Sequence, residues 1–320
     1  MTTCVGVDVG GTKIAACAVD EHGTVLRRAR RETPAQDPAQ IVTAVAEVVE
    51  ELADGAAPGE EVTAVGVACA GFIDRAGETV VFAPNLAWRD EPLRARLRAL
   101  VDLPVVLEND ANAAVWGEFR FGAARDAADV VLLTLGTGVG GGILNEGRLL
   151  RGAYGMGAEV GHLRVVPDGH RCGCGNRGCW EMYASGSALV REARALVASG
   201  SPHAGALSDR CEGDPARLTG QMVTEVARTG DPAATELLET VGCWVGEGAA
   251  SLAAVLDPGL IVLGGGVSAA GELVLAPARS AFARSLPGRG HRETAPLVLA
   301  ALGNDAGMIG VADLASRAAG

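Results

Sequence analysis

Val5-Gly6-Val7-Asp8-Val9-Gly10-Gly11-Thr12-Lys13-Ile14 is echoed later in the chain by Val130-Val131-Leu132-Leu133-Thr134-Leu135-Gly136-Thr137-Gly138-Val139-Gly140-Gly141-Gly142. In each stretch a short apolar run ends on a glycine turn that carries a threonine, and a second apolar run follows, at residues 14–19 and 143–144. Strand, glycine turn and returning strand make a β-hairpin. Meeting that unit twice implies an internal duplication: two α/β halves, with a cleft between them where both turns face one ligand.

The rest of the chain reads outward from the two hairpins. Residues 38–53 have helical spacing and stop before Asp54-Gly55, residues 62–68 and 103–107 are strands, and Asp110 opens a helix running to about Gly122. After the second hairpin, residues 182–198 and 221–256 read as helices, the latter closed by Asp257-Pro258-Gly259. Residues 260–263 form a buried strand that runs into Gly264-Gly265-Gly266-Val267, and 305–318 form a last helix. The segment 199–220 is rich in turn formers and reads as a surface excursion. The restart of the pattern divides the chain into an N-terminal lobe, 1–119, to which a C-terminal helix at 305–320 returns, and a C-terminal lobe, 120–304.

A chain of 320 residues is long enough for two such cores, and with aromatics at 3% they must be built from Val, Ala, Leu and Ile. A net charge of −12 argues against a nucleic-acid surface, which needs clustered Lys and Arg to displace counterions. Apolar runs such as 130–135 are strand-length, well short of the roughly 20 residues of a membrane helix. The start, Met1-Thr2-Thr3-Cys4-Val5, has no basic or apolar leader before the first strand, so a soluble, cytoplasmic protein is expected.

Successive amides on a tight turn form an anion-binding nest, and glycine lets a phosphate approach the main chain. Each turn taken singly is a bare hairpin turn, and neither has the spacing G-x-x-x-x-G-K-[ST] or opens a helix as G-x-G-x-x-G. Together they point to a polyphosphate held by Gly10, Gly11, Thr12, Thr137 and Gly138, with Lys13 beside it and Asp8 placed to hold Mg²⁺ through water. Gly264 and Gly265 make a third close-approach point, suited to an adenosine moiety or serving only as a tight strand-to-helix connection.

Asp110, in Leu107-Glu108-Asn109-Asp110, sits in the first turn of its helix, where the macrodipole should keep it ionised and able to take a proton from an attacking hydroxyl. The competing reading is that Asn109 or Asp110 serves only as an N-cap. Asn85, Asn109, Glu159 and Glu181 supply a set of acceptors suited to a polyol.

Glu159 and Glu181 flank His162, Cys172, Cys174 and Cys179, with glycines at 173, 175 and 178 that let the backbone fold around one ion. Three thiolates and an imidazole make a closed tetrahedral Zn²⁺ site with no open position for a catalytic water, so the metal is structural. A disulfide framework belongs to small secreted chains and is disfavoured here. The remaining cysteines read as buried core thiols at 4, 17, 69 and 243 and a loop thiol at Cys211.

At these residues the chain resembles the ROK family of repressors, open reading frames and sugar kinases, and within it the actinobacterial branch of ATP-dependent glucose kinases. The likeness runs nearly end to end, from Asp8-Val9-Gly10-Gly11-Thr12-Lys13 through Phe82-Ala83-Pro84-Asn85-Leu86-Ala87-Trp88, Glu108-Asn109-Asp110, Leu135-Gly136-Thr137-Gly138 and the Cys/His/Glu cluster to Leu302-Gly303-Asn304-Asp305-Ala306-Gly307. The resemblance implies a two-lobed, actin-like (ribonuclease H-like) α/β fold with a cleft between the lobes. It implies phosphorylation of glucose at the 6-hydroxyl by ATP with Mg²⁺, and Asp110 as general base. The implied sugar contacts are Gly71, Asn85, Asn109, Asp110, Glu159, His162 and Glu181, the histidine touching sugar through the ring nitrogen that does not face zinc. One departure is Ala68-Cys69-Ala70-Gly71-Phe72, where many relatives carry a Pro-Gly pair. Within the family, N-acylmannosamine, mannose, fructose or allose are alternative substrates. Polyphosphate is disfavoured as donor because relatives that use it tend to lack the cysteine cluster. A sugar-sensing repressor would carry a helix-turn-helix before the first strand. A homodimer or homotetramer is implied.

Overall fold

The computed structural model describes residues 1–319, so Gly320, the last residue of the expected 305–320 segment, lies outside them. The chain divides into two compact units: Met1–Leu132 with Gly142–Ala158 and the chain from Ala301 onward, and Leu133–Gly141 with Glu159–Ala300.

The first unit is built on a sheet of β1 (Thr2–Val9), β2 (Lys13–Asp20), β3 (Val25–Glu32), β4 (Glu61–Cys69) and β8 (Val105–Asn109), in the order β3-β2-β1-β4-β8. β1, β2 and β3 are antiparallel neighbours, whereas β1, β4 and β8 run parallel. Alternation along β1 sends Val5, Val7 and Val9 to the face covered by α1 (Pro38–Asp54), where they pack with Ile41, Val45 and Val48. Helix α1 starts where Asp37 accepts hydrogen bonds from the backbone N–H groups of Ala39 and Gln40, with Pro38 in its first turn. The opposite face, carrying Cys4, Cys17 and Ala64, is covered by Met308, Ile309 and Ala312 of the chain's last helix, Ala306–Ala319. Gly6 and Gly66 pair across β1 and β4 beneath that helix. A Cβ on either would fall 1.9 Å from the Met308 carbonyl oxygen or 2.0 Å from that of Val311, so only glycine lets the helix lie directly on the sheet.

Short elements complete this unit: β5 (Phe72–Ile73), β6 (Val80–Phe82) and β7 (Arg89–Glu91) form a small antiparallel sheet, followed by α2 (Leu93–Arg98), and α3 (Asp110–Phe121) follows β8. The second hairpin, β9 (Val130–Leu135) and β10 (Val139–Asn145), is continued by β11 (Arg148–Leu149). The second unit has α4 (Glu181–Ala184), α5 (Gly186–Ala198), α6 (Gly205–Arg210), α7 (Gly220–Arg228), α8 (Pro232–Leu256), β12 (Leu260–Gly264), α9 (Glu272–Ser285) and β13 (Leu297–Leu299). The second sheet has the order β11-β10-β9-β12-β13. The last helix is α10 (Ala306–Ala319). Among the described residues no helix is long and apolar enough to cross a membrane.

Several expectations are corrected. The returning strand of the second hairpin starts at Val139, directly after the turn, rather than at residue 143. The single helix expected over 221–256 is two, because Gly230 adopts φ 89° and Asp231 caps a new helix. The helix expected over 182–198 is interrupted by Ser185, whose hydroxyl caps α5. The segment 199–220 contains α6 and buries Leu207, Leu218 and Cys211, so Cys211 is a core thiol rather than a loop thiol.

Candidate active site

Parallel strands bring their C-terminal ends together, and in open α/β sheets ligands collect there. In the first unit those ends are Val9, Cys69 and Asn109. The residues just beyond or before them are Asp8, the turn Gly10–Lys13, Gly71 and Asp110, which are candidates named from the sequence.

The turn is closed by the Gly10 N–H donating to the Lys13 carbonyl (3.0 Å) and braced by Thr33, whose hydroxyl donates to the Gly10 carbonyl (2.7 Å) and whose N–H donates to the Thr12 carbonyl (3.2 Å). Thr12 and Lys13 are exposed. Asn85, in the loop between β6 and β7, backs onto Gly11, where an added Cβ would meet the Asn85 Cβ at 3.0 Å. Arg89 shapes that loop by donating to the carbonyls of Ala83 (2.9 Å) and Leu86 (3.0 Å), while Trp88 is buried beneath it.

Asn109 is the N-cap of α3: its Oδ1 accepts from the N–H groups of Ala111 (2.9 Å) and Asn112 (3.1 Å), and its Nδ2 donates to the Gly71 carbonyl (3.3 Å). Asp110 is the next residue, with Oδ1 accepting from the Ala111 N–H at 2.9 Å. Burial, as well as the helix terminus, acts on its charge. Burial raises the Asp110 carboxyl above the ordinary range and outweighs the hydrogen bonds that oppose it. Asp8 is pushed up to about 6, by burial first, then by the charge of Asp110, with Lys13 opposing. Two buried carboxyls, one of which raises the proton affinity of the other, make a hard oxygen donor set suited to a divalent cation.

Sequence reading missed the support beneath this pair. Glu108 is 4% exposed. One of its oxygens takes the Arg151 guanidinium (2.6 and 2.7 Å), and the other takes the Asn112 side-chain amide (3.0 Å) and the Asn109 N–H (3.1 Å). Its spacing from Asp110 was visible, but its partner lies far along the chain.

In the second unit the turn after β9 is closed by the Gly136 N–H donating to the Gly138 carbonyl (3.0 Å), and the Gly136 carbonyl accepts from the Gly186 N–H at the start of α5 (2.8 Å). Gly265, at φ 82°, packs so tightly on Leu135 that a Cβ would lie 2.7 Å from its backbone. Gly264 is buried at the end of β12. Beside these lies a cavity of about 950 Å³ whose walls include Gly136, Thr137, Ser187, Gln221, Gly266 and Val267. Its α5 and α7 walls carried no motif and were not anticipated.

His162, Cys172, Cys174 and Cys179 place one ligand atom each within 4.8 Å of the others. Cys172 Sγ is 3.5 Å from His162 Nδ1, and Cys174 Sγ is 3.6 Å from Cys179 Sγ. A tetrahedron with Zn–S of about 2.3 Å and Zn–N of about 2.1 Å has edges of roughly 3.6–3.8 Å, so the donor set fits zinc in type and spacing. Gly178 is obligatory: its φ is 77° and a Cβ would fall 1.6 Å from the Val166 carbonyl oxygen. Glu159 precedes the short turn Val160–His162 that delivers the histidine. Glu181 has Oε1 2.9 Å from Cys172 Sγ and 3.6 Å from His162 Nδ1, and a Cβ on Gly138 would meet its Oε2 at 2.3 Å. Burial first, then the Glu181 carboxylate, raises the Cys172 thiol above its ordinary range, and a bound cation reverses that sign because the thiolate is the ligand form.

A parallel sheet ending on paired carboxylates, and a glycine turn beside a large cavity and a four-ligand knot, are the components of a phosphotransferase of the actin-like α/β class. The ROK family model matches residues 4–318, and the chain belongs to the ROK family. It is 47% identical over 315 residues to a glucokinase of Streptomyces coelicolor, covering 98% of each chain. It is 36% identical over 316 residues to a glucokinase of Thermotoga maritima, covering 97% of this chain and 96% of that one. A crystal structure of a ROK family glucokinase from Streptomyces griseus in complex with glucose and AMPPNP superposes with a TM-score of 0.90 at 47% identity, over 98% of this chain and 99% of that one.

Proposed function

We propose that this chain is an ATP-dependent glucokinase, transferring the γ-phosphoryl group of ATP to the 6-hydroxyl of glucose to give glucose 6-phosphate and ADP. The reading is carried by the convergence of Asp8, Gly71, Asn109 and Asp110 at one end of the parallel strands, in a chain matching glucokinases over 98% of its length. Asp110 takes the proton of the 6-hydroxyl as that oxygen bonds to the γ-phosphorus and the bond to the β,γ-bridging oxygen breaks. A base whose pKa has been raised toward neutrality is better matched to this work than an ordinary aspartate. Phosphoryl transfer passes through a loose transition state, so positioning and charge neutralisation do most of the rest.

Asp8 would hold Mg²⁺, which would neutralise phosphate charge when bound, and Gly10, Gly11, Thr12 and Lys13 would face phosphate oxygens. In the second unit, Thr137 and Gly138 serve the phosphates, Gly264 and Gly265 give the close approach suited to the adenosine moiety, and the cavity lined by Gly136, Thr137, Gly266 and Val267 takes the nucleoside. Gly71, Asn85, Asn109, Glu159, His162 and Glu181 hold sugar hydroxyls. His162, Cys172, Cys174 and Cys179 would hold a zinc ion whose role would be structural. The enzyme works in the cytoplasm as a homodimer or homotetramer, which sedimentation equilibrium reads directly.

A panel of hexoses with ATP and coupled detection of ADP tests the activity. Glucose is expected to give the highest kcat/KM, with phosphate found at the 6-position. A higher value for N-acylmannosamine, mannose, fructose or allose would move the substrate, and no ADP release with any sugar would remove the reading.

A further inference from the structure

Trp180 lies between a metal-ligand candidate, Cys179, and a carboxylate proposed to hold sugar, Glu181, and the mechanism above gives it no task. Its side chain is fully buried, and its indole N–H donates to the carbonyl of Trp244 in the middle of α8 at 2.8 Å. The ring lies on Gly248, where a Cβ would fall 2.1 Å from two ring carbons. Glycine weakens a helix interior, so three of them at 242, 246 and 248 in α8 call for a reason. Gly242 and Gly246, one turn apart, are turned to α9: a Cβ would meet the Val274 carbonyl oxygen at 2.6 Å or that of Ala278 at 2.1 Å. Gly248 is about 200° around the helix from Gly246 and faces Trp180 instead. Two glycines serve helix packing and the third serves one indole.

The consequences run to Glu181. The Trp180 N–H donates to the Leu163 carbonyl (2.8 Å), and the Trp180 carbonyl accepts from the N–H groups of Tyr183 (2.9 Å) and Ala184 (3.1 Å), so the ring's seat fixes the backbone on both sides of Glu181. Tyr183 adds a second hold, its ring 4.8 Å from that of Trp244 and its hydroxyl accepting from the His170 N–H at 3.0 Å. We infer that Trp180, seated on Gly248, is a positioning residue for the sugar: packing on α8, and not the metal alone, sets where the Glu181 carboxylate stands. This rests on the reading of Glu181 as a sugar ligand.

The test uses the zinc-loaded protein. Gly248→Ala lifts the indole off its seat and is expected to raise the glucose KM about tenfold, what a shifted charge-assisted hydrogen bond gives. It should leave kcat within about threefold and the zinc content, read by atomic emission, at the parent value. Trp180→Phe removes the N–H but keeps a ring, and a rise of roughly threefold in KM is expected, on the scale of one neutral hydrogen bond. If Gly248→Ala does not fold, Trp180→Phe decides alone. A merely structural role would lower zinc content and kcat together with sugar affinity. The inference is overturned if the folded, zinc-loaded variants keep the parent's glucose KM or lose metal in step with it. A parent protein that does not phosphorylate glucose sinks the proposed function instead, and glucose-induced quenching of tryptophan emission separates the two failures.

Discussion

The two glycine turns begin alike and are completed by different physics. The first is flanked by its own charges, Asp8 and Lys13, and rests on a sheet held between α1 and α10, with Gly6 and Gly66 drawn tight against α10. The second, Gly136-Thr137-Gly138, carries no charge, and the carboxylate over Gly138 is Glu181, delivered by a segment of turns and isolated bridges, Arg164 with Cys179 and Arg171 with Arg177, that has no helix longer than the Val160–His162 turn before α4. One functional region is an outcome of core packing, present whenever the unit folds. The other needs a knot and an indole to hold loop residues in place. The first should therefore fail by loss of chemistry and the second by loss of binding.

The largest effect is expected at the packed region. Asp110→Asn keeps the size of the side chain and removes the base, so kcat should fall by roughly 10²–10⁴ while the glucose dissociation constant, read by calorimetry, stays within a few-fold. A variant with near-normal kcat would place the chemistry elsewhere. Next comes the knot: Cys172→Ser, or dialysis against a chelator, should release metal and weaken glucose binding on the order of tenfold, as for one charge-assisted hydrogen bond, before affinity for an ATP analogue changes. If nucleotide affinity fell first, the contact of Glu181 with Gly138 would matter more than its proximity to sugar.

A pH series sharpens the contrast because it acts on the first region. Asp8 is raised to about 6 and Asp110 is raised beside it, so kcat/KM should decline as pH falls through about 6 rather than near 4. Stability moves the other way. A carboxyl whose folded pKa exceeds its unfolded value favours folding fully below that unfolded value, near 4, and the advantage is lost as pH rises through 6. For Asp8 the loss is on the order of 3 kcal/mol without ligand. Asp8→Asn should thus raise the Tm of the free protein at pH 7.5 while abolishing most turnover, and an unchanged or lower Tm would mean that Asp8 is already relieved by water.

The packed region was also the more legible one. Alternating residues 5–9 announced β1 because one face had to be apolar and the other small, and a strand followed by Asn109-Asp110 announced the start of α3. β3 escaped notice because it is an edge strand bearing Arg27, Arg28, Arg30 and Arg31, with Ala29 its one buried residue. α9 was hidden by Pro277 inside it, and its reason for being there is the glycine face of α8. The cluster of His162 and three cysteines could be read from ligand chemistry, but Trp180 on Gly248 joins residues far apart in sequence, and no local pattern encodes that contact. The burial that raises the Asp110 carboxyl was not legible for the same reason, since the helix terminus is local and that burial is not.

The smallest expected effect addresses the turn itself. Lys13 is the only lysine in 320 residues, so the protein offers two amines, its Nζ and the N-terminus, whose ammonium donates to the Gly59 carbonyl at 2.7 Å. Lys13 is exposed and open to an amine-selective acylating reagent. If the first turn holds phosphate, Mg²⁺·ATP should slow acylation of Lys13 a few-fold, as expected when an ammonium is paired with phosphate oxygens, and leave the α-amino group as an internal control. Glucose alone should protect neither amine. The arrangement separates the two regions in a way that activity cannot, because chelation of the knot should leave protection of Lys13 by nucleotide intact. Equal rates at Lys13 with and without nucleotide, read by intact mass and peptide mapping, would mean that the first turn is only a hairpin and that its charges serve the fold.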